Sequence, residues 1–165
     1  MLIVIVCGLP GVGKTTLANN LAPLLNVSIL STDKIRKELI PHPTYSAQER
    51  ALIYDVMLLL AKYLHDLGVS CILDATFNRE KSRIEVKRKL GLDASEFCVI
   101  ECVCPEALVI SRLKNRKGDF SDADVSVYKK MKRIYEPVKG GHITADTSKP
   151  PNKTAEDIAN GILQR

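Results

Sequence analysis

The sequence predicts an α/β three-layer sandwich built around a parallel sheet. Three observations lead there. Short apolar runs alternate with longer segments of helical periodicity along the whole chain. The first run, Leu2 to Cys7, is apolar at every position, as expected of a central strand covered on both faces. Glycines (Gly8, Gly68 and Gly91) stand where one pattern gives way to the next.

After the first strand a helix is expected from Lys14 to about Leu25, then a short strand over Val27 to Leu30. Asp33 to Ile40 reads as a short helix stopped by Pro41. From Ser46 to Leu67, the residues Leu52, Val56, Leu59, Leu60, Tyr63, Leu64 and Leu67 recur at helical spacing, and Gly68 ends the segment. Val69 to Leu73 is a third strand, Arg79 to Leu90 a helix, and Phe97 to Val103 a fourth strand. Pro105 suits the start of a helix reaching about Asn115. The polar stretch Arg116 to Asp124 leads into a helix from Val125 to about Tyr135. His142 to Ala145 is a fifth strand and Thr154 to Leu163 a final helix. In parallel sheets ligands bind beyond the carboxyl ends of the strands, so the loops after each strand are where chemistry is expected.

The 165 residues, 45% hydrophobic, suffice for one domain with a real core, taken as residues 1–165 with a lid element at about 112–128. Twenty-four basic against 19 acidic side chains give a formal charge of +5, which favours anionic partners such as nucleotides, phosphorylated metabolites or RNA. No apolar run approaches the roughly 20 residues of a membrane span, so no membrane partner is expected. Met1 to Cys7 lacks the basic flank and cleavage site of a signal peptide. Five cysteines, without a Cys-x-x-Cys pair and with scattered histidines, argue against structural zinc and suggest a reducing, cytoplasmic setting.

The strongest motif follows the first strand. Gly8-Leu9-Pro10-Gly11-Val12-Gly13-Lys14-Thr15 fits G-x-x-x-x-G-K-[ST] at every fixed position, between a strand and a helix. Such a loop wraps its N–H groups around phosphate oxygens, aided by the helix dipole. It assigns ATP binding to Gly8, Pro10, Gly11, Val12, Gly13, Lys14, Thr15 and Thr16. Lys14 would reach the β- and γ-phosphates, and the Thr15 hydroxyl would ligate Mg²⁺.

Asp33 and Arg36 follow the second strand. The carboxylate is suited to take a proton from an attacking hydroxyl, and the guanidinium to hold the acceptor or the transferred phosphoryl group. The alternative is that Thr32 and Asp33 cap a helix. Asp74, ending the third strand, is placed to hold Mg²⁺, usually through water, or else simply forms a turn. Ala75 follows where hydrolytic ATPases often carry Glu, which argues mildly against a hydrolase. Arg112 and Arg116, spaced i, i+4, are suited to stack on a base and neutralise charge during transfer, or else form a solvated face. Arg79, Lys81, Arg83, Lys87, Arg88 and Lys89 form a second basic cluster, a solvated helix or an RNA-facing surface. Asn152-Lys153-Thr154-Ala155 lacks the Asp with which GTPases read guanine.

With these landmarks the chain resembles the small P-loop kinases grouped with zeta toxins, polynucleotide 5′-kinases and archaeal seryl-tRNA kinase. The likeness rests on the P-loop, Ser31-Thr32-Asp33-Lys34-Ile35-Arg36, Leu73-Asp74-Ala75-Thr76-Phe77, Arg112 with Arg116, and Ser121-Asp122-Ala123. It continues through Tyr135-Glu136-Pro137 and His142 to Ser148. The resemblance implies a nucleoside-kinase-like P-loop fold with strand order 2-3-1-4-5, and transfer of the ATP γ-phosphoryl group to a hydroxyl. It implies Asp33 as base, Arg112 near the adenine, Arg116 at the phosphates, and the loop after Asp146 against the base. The hydroxyl acceptor, a small molecule or RNA, is left open. So are two other readings: an ATP-binding RNA-associated switch with little chemistry, and a hydrolytic NTPase.

Overall fold

A five-stranded parallel sheet forms from Ile3–Cys7 (β1), Ser28–Ser31 (β2), Cys71–Asp74 (β3), Phe97–Val103 (β4) and Ile143–Asp146 (β5), in the order β2-β3-β1-β4-β5. The helices are Lys14–Leu25 (α1), Thr32–Leu39 (α2), Ala47–Asp66 (α3), Glu80–Leu90 (α4), Glu106–Asn115 (α5), Val125–Lys132 (α6) and Pro151–Leu163 (α7). This architecture comes from a computed structural model describing residues 1–115 and 121–164. Arg116 lies outside the described residues.

The central strand explains the layering. Successive side chains of a strand point to opposite faces, so β1 feeds two cores. Val4 and Val6 pack with Leu17, Leu21, Ile158 and Ile162 of α1 and α7. Ile3, Ile5 and Cys7 pack on the other face with Ile53, Met57, Val86 and Leu90 of α3 and α4. Burial on both sides is why the strand reads as an unbroken apolar run. It also accounts for its cysteine: desolvation pushes the Cys7 thiol up to about 11, which leaves it protonated and unreactive at neutral pH.

Three element boundaries differ from expectation by two or three residues: β3 starts at Cys71 rather than Val69, α6 ends at Lys132 rather than about Tyr135, and α7 starts early. α7 begins at Pro151 rather than Thr154, because proline at the first helical turn sacrifices no hydrogen bond and is already set at a helical φ. The Thr154 N–H then donates to the Pro150 carbonyl. In α3 the buried apolar residues are Ile53, Met57, Leu58 and Ala61, whereas Leu52, Leu59, Leu60, Tyr63 and Leu67 of the apolar pattern are exposed. No helix among the described residues is long and apolar enough to cross a membrane.

Truncating Ile53→Ala, fully buried between α3 and the sheet, should cost about 2–4 kcal/mol of unfolding free energy. A urea titration measures this, with a lowered midpoint and an unchanged slope expected.

Candidate active site

The site grows out of the carboxyl end of β1. Three glycines of the following loop take positive φ: Gly8 (+138°), Gly11 (+78°) and Gly13 (+97°). At Gly8 the reason is close approach as well as conformation, since an added Cβ would lie 2.6 Å from the Cys102 carbonyl oxygen on β4. Gly13 is the N-cap of α1 and has no side chain with which to cap it. The first N–H groups of that helix therefore face the loop's concavity without a side-chain acceptor, the arrangement that receives anions. Pro10 and Val12 are buried supports of the loop, whereas Thr15 and Thr16 are exposed at the start of α1.

The two residues that give the loop its chemistry are already placed. The Lys14 ammonium donates to the Leu9 carbonyl at 3.0 Å, which folds its stem back over the loop. The Thr15 hydroxyl donates to Asp74 Oδ2 at 2.7 Å. Asp74 reaches this position because parallel pairing aligns it with Val6 on one side and Ser31 on the other.

Asp74 is only 3% exposed. Desolvation raises its pKa, and the nearby Asp33 adds to the rise. Lys14 and hydrogen bonds from Thr15 and Ser31 oppose it without cancelling it. A hydroxyl and a buried carboxylate are hard oxygen donors side by side at the phosphate loop. They fit Mg²⁺, which binds through one or two protein oxygens and completes its shell with water and phosphate.

At the end of β2, Asp33 and Arg36 come together as their spacing implies. Arg36 Nη1 donates to Asp33 Oδ1 at 3.0 Å. The Asp33 side chain remains 38% exposed, whereas Arg36 is buried. Two residues missed by sequence reasoning hold that guanidinium: Glu49 Oε1 lies 3.0 Å from its Nε, and the Tyr45 ring lies under it at 4.9 Å.

Glu49 also accepts from the Thr44 N–H (2.6 Å), the Thr44 hydroxyl (2.8 Å) and the Tyr45 N–H (3.1 Å). Burial works against its charge, but these bonds and Arg36 together keep its carboxyl below the usual range. The sequence did carry a signal, since Ser46-x-x-Glu49 is a capping-box pattern. Ser46 caps α3 by accepting from the Glu49 N–H at 3.1 Å, but the carboxylate turns to the loop and to Arg36 instead of back to Ser46. Asp122, beyond α5, joins the group through the Tyr45 hydroxyl and through Lys37 at 3.2 Å.

Arg112 approaches from the opposite side of the phosphate loop. Its Nη2 donates to the Thr147 carbonyl at 2.8 Å and its Nη1 to the Val12 carbonyl at 3.4 Å. The Thr147 hydroxyl, in the loop after Asp146, donates to the Val12 and Val103 carbonyls. The ends of β4 and β5 are thus tied to the loop.

The second basic cluster separates into unlike parts. Arg83 is 3% exposed and donates to the carbonyls of Phe77 (2.7 Å), Glu136 (2.8 Å) and Pro137 (3.2 Å). It cannot belong to an RNA-facing surface. Instead it fastens the loop after Asp74 to the Tyr135-Glu136-Pro137 segment. Tyr135 completes the fastening by donating to the buried Glu101 on β4 at 2.7 Å.

Comparisons with known proteins bear on the family and the fold. A family model described as an AAA domain matches residues 3–138. An uncharacterised protein of Mycobacterium tuberculosis is 28% identical over 135 residues, 74% of this chain. The chain spans only 27% of the length of that relative. A probable adenylyl-sulfate kinase of Pyrococcus abyssi is 28% identical over 90% of this chain and 87% of its own.

Among solved structures, an unliganded sugar kinase from Janibacter sp. HTCC2649 superposes with a TM-score of 0.76 at 18% identity, over 97% of this chain and 93% of that one. The Mycobacterium tuberculosis APS kinase CysC, in complex with AMPPNP and APS, gives 0.73 at 18% identity, over 99% of this chain and 98% of that one. The fold is that of the P-loop kinases.

Two outcomes follow. A buried acid with a raised pKa stabilises the fold fully in acid and loses that contribution as pH rises through its pKa. Asp74→Asn should therefore raise the Tm of the nucleotide-free protein by about 2–4 °C at neutral pH, while removing the further rise that Mg²⁺ with an ATP analogue produces in wild type. Differential scanning fluorimetry reads both. Arg83→Met should cost about 2–4 kcal/mol by stranding buried carbonyl oxygens, measured by chemical denaturation.

Proposed function

The chain belongs to the AAA-domain family, and from that premise we propose that it is an ATP-dependent kinase transferring the γ-phosphoryl group to a hydroxyl acceptor. One observation carries the reading. The phosphate loop, the Thr15–Asp74 pair and the Asp33–Arg36 pair lie at the ends of adjacent strands β1, β3 and β2, with Asp33 close enough to Asp74 to raise its pKa. Donor-side and acceptor-side groups thus share one edge of the sheet. The kinase descriptions of the Pyrococcus abyssi relative and of the structural neighbours point the same way.

In this reading the N–H groups of residues 11–15 hold the β-phosphate, and Lys14 releases the Leu9 carbonyl to reach the β- and γ-phosphates. Thr15 and Asp74 would hold Mg²⁺, which would supply neutralisation of the phosphate charge. Asp33 takes the proton of the acceptor hydroxyl as its oxygen bonds to the γ-phosphorus and the bond to the β-phosphate oxygen breaks. Arg36, fixed by Glu49 and Tyr45, orients Asp33 through its hydrogen bond. Arg112 lies where the adenine side of the nucleotide would pass, between the phosphate loop and Thr147.

In the same reading a lid at about 112–128 closes over the nucleotide, with Arg116 as a further cation for the phosphates, and the contacts of Asp122 with Tyr45 and Lys37 support a lid that reaches the acceptor side. Closure excludes water, which otherwise competes with the acceptor. Ala75, buried beside Asp74, carries no group to activate that water, which favours transfer over hydrolysis. Within the zeta-toxin, polynucleotide-kinase and seryl-tRNA-kinase group the acceptors differ, and here a small molecule is preferred to RNA because Arg83 is absent from the basic surface.

A coupled ADP-release assay across sugars, nucleosides, adenylyl sulfate and 5′-hydroxyl oligonucleotides tests the proposal. Wild type should turn over at least one acceptor. Lys14→Ala should lose nucleotide affinity and turnover together. Asp33→Asn should bind ATP normally but transfer about 10²–10⁴-fold more slowly; undiminished transfer would remove Asp33 from its role as base.

A further inference from the structure

α3 has two apolar faces, and only one is used by the fold. Ile53, Met57 and Ala61 enter the core. A second stripe, Leu52, Val56, Leu59, Leu60, Tyr63 and Leu67, runs along the outside; Val56 is half-buried against the core and the other five are exposed, Tyr63 at 63% and Leu67 at 76%. At 100° per residue these six fall within a strip about 100° wide that no charged residue interrupts. Isolated exposed leucines are ordinary, but a continuous stripe of this kind marks a contact surface.

The spacing of the stripe identifies the shape of its partner. Leu52, Val56, Leu59 and Tyr63 are separated by four, three and four residues, the alternation of a two-helix seam. Its flank identifies the partner itself. Asp55 and Lys62 stand one heptad apart on the same side of the seam, both exposed and both engaged in surface ion pairs, with Lys89 at 3.0 Å and Asp66 at 3.2 Å.

If two copies of α3 lie antiparallel, with Val56 opposite Leu59 and Tyr63 opposite Leu52, Asp55 of each copy faces Lys62 of the other. In a parallel pair the same charges would instead lie against Leu60 and Leu67. The helix is thus complementary to itself in one orientation only.

We infer that the outer face of α3 is the interface of a two-fold symmetric homodimer, in which α3 packs antiparallel on α3 of a second copy through Leu52, Val56, Leu59 and Tyr63. A seam on a single helix, about 24 Å long from Leu52 to Leu67, falls short of the roughly 800 Å² per partner of a standard interface. The dimer is therefore reversible and dissociates on dilution. It lies on an outer helix face and is independent of the kinase reading.

Sedimentation equilibrium of the full chain from micromolar to millimolar concentration tests this. A monomer–dimer equilibrium is expected. Tyr63→Glu should abolish it while leaving the far-UV circular dichroism spectrum and ATP-analogue binding unchanged. Asp55→Lys and Lys62→Asp should each weaken association about tenfold, because two symmetry-related pairs are lost, and combining them should restore it to within about threefold of wild type. A monomer at every concentration, a dimer indifferent to Tyr63→Glu, or a double variant weaker than either single one would each overturn the assignment.

Discussion

The hydrogen bond from the Thr15 hydroxyl to the Asp74 carboxylate is the junction on which the rest of the site depends. It joins the first turn of α1 to the end of β3, and so couples a loop shaped by glycines to a strand shaped by apolar burial. The parallel register that sets Asp74 beside Val6 and Ser31 makes the contact possible. The site therefore inherits its precision from the sheet rather than from the loop. The cost is a carboxylate buried with too little compensation, so the nucleotide-free protein holds Asp74 in a state that a cation would relieve. In the proposed role of Asp74, stability and function oppose each other at this residue.

Around that junction the protein uses buried polar groups as fasteners. Arg83 binds three carbonyls and fixes the backbone immediately after Asp74, where Phe77 takes a positive φ of 44°. Arg112 and Thr147 do the same for the Val12 carbonyl on the opposite side of the loop. Arg36 is held by Asp33, Glu49 and Tyr45, which removes it from solvent and sets the orientation of Asp33. Each of these guanidiniums exploits a planar fork of donors that lysine lacks. The three arginines that look alike in sequence thus fasten three different segments around the phosphate loop and the ends of β2 and β3.

Legibility from sequence followed the range of the interaction. The strands and the phosphate loop were readable because apolar periodicity, glycine placement and the fixed Lys-Thr positions are local, whereas the strand order, a non-local property, came only from the family resemblance. Asp33 and Asp74 were readable because strand ends in a parallel sheet are known to converge. Glu49 announced itself only as a cap, and its partnership with Arg36, thirteen positions earlier, depends on how α2 packs against α3. Arg83 belonged to a run of cations that looked solvated, and nothing local distinguishes the one residue whose helical position turns it inward. The apolar pattern of α3 correctly indicated a helix, yet most of its members are exposed. Periodicity detects an apolar face without saying what covers it.

The central claim is that the amides at the start of α1 form a cradle for the phosphate tail of a nucleotide. Amide hydrogen exchange followed by NMR, with and without AMPPNP and Mg²⁺, addresses it residue by residue. Strong protection confined to residues 11–15 and their immediate neighbours is the predicted result. Unchanged exchange at those amides, in a protein that nevertheless binds the nucleotide, would place the phosphates elsewhere and contradict the account.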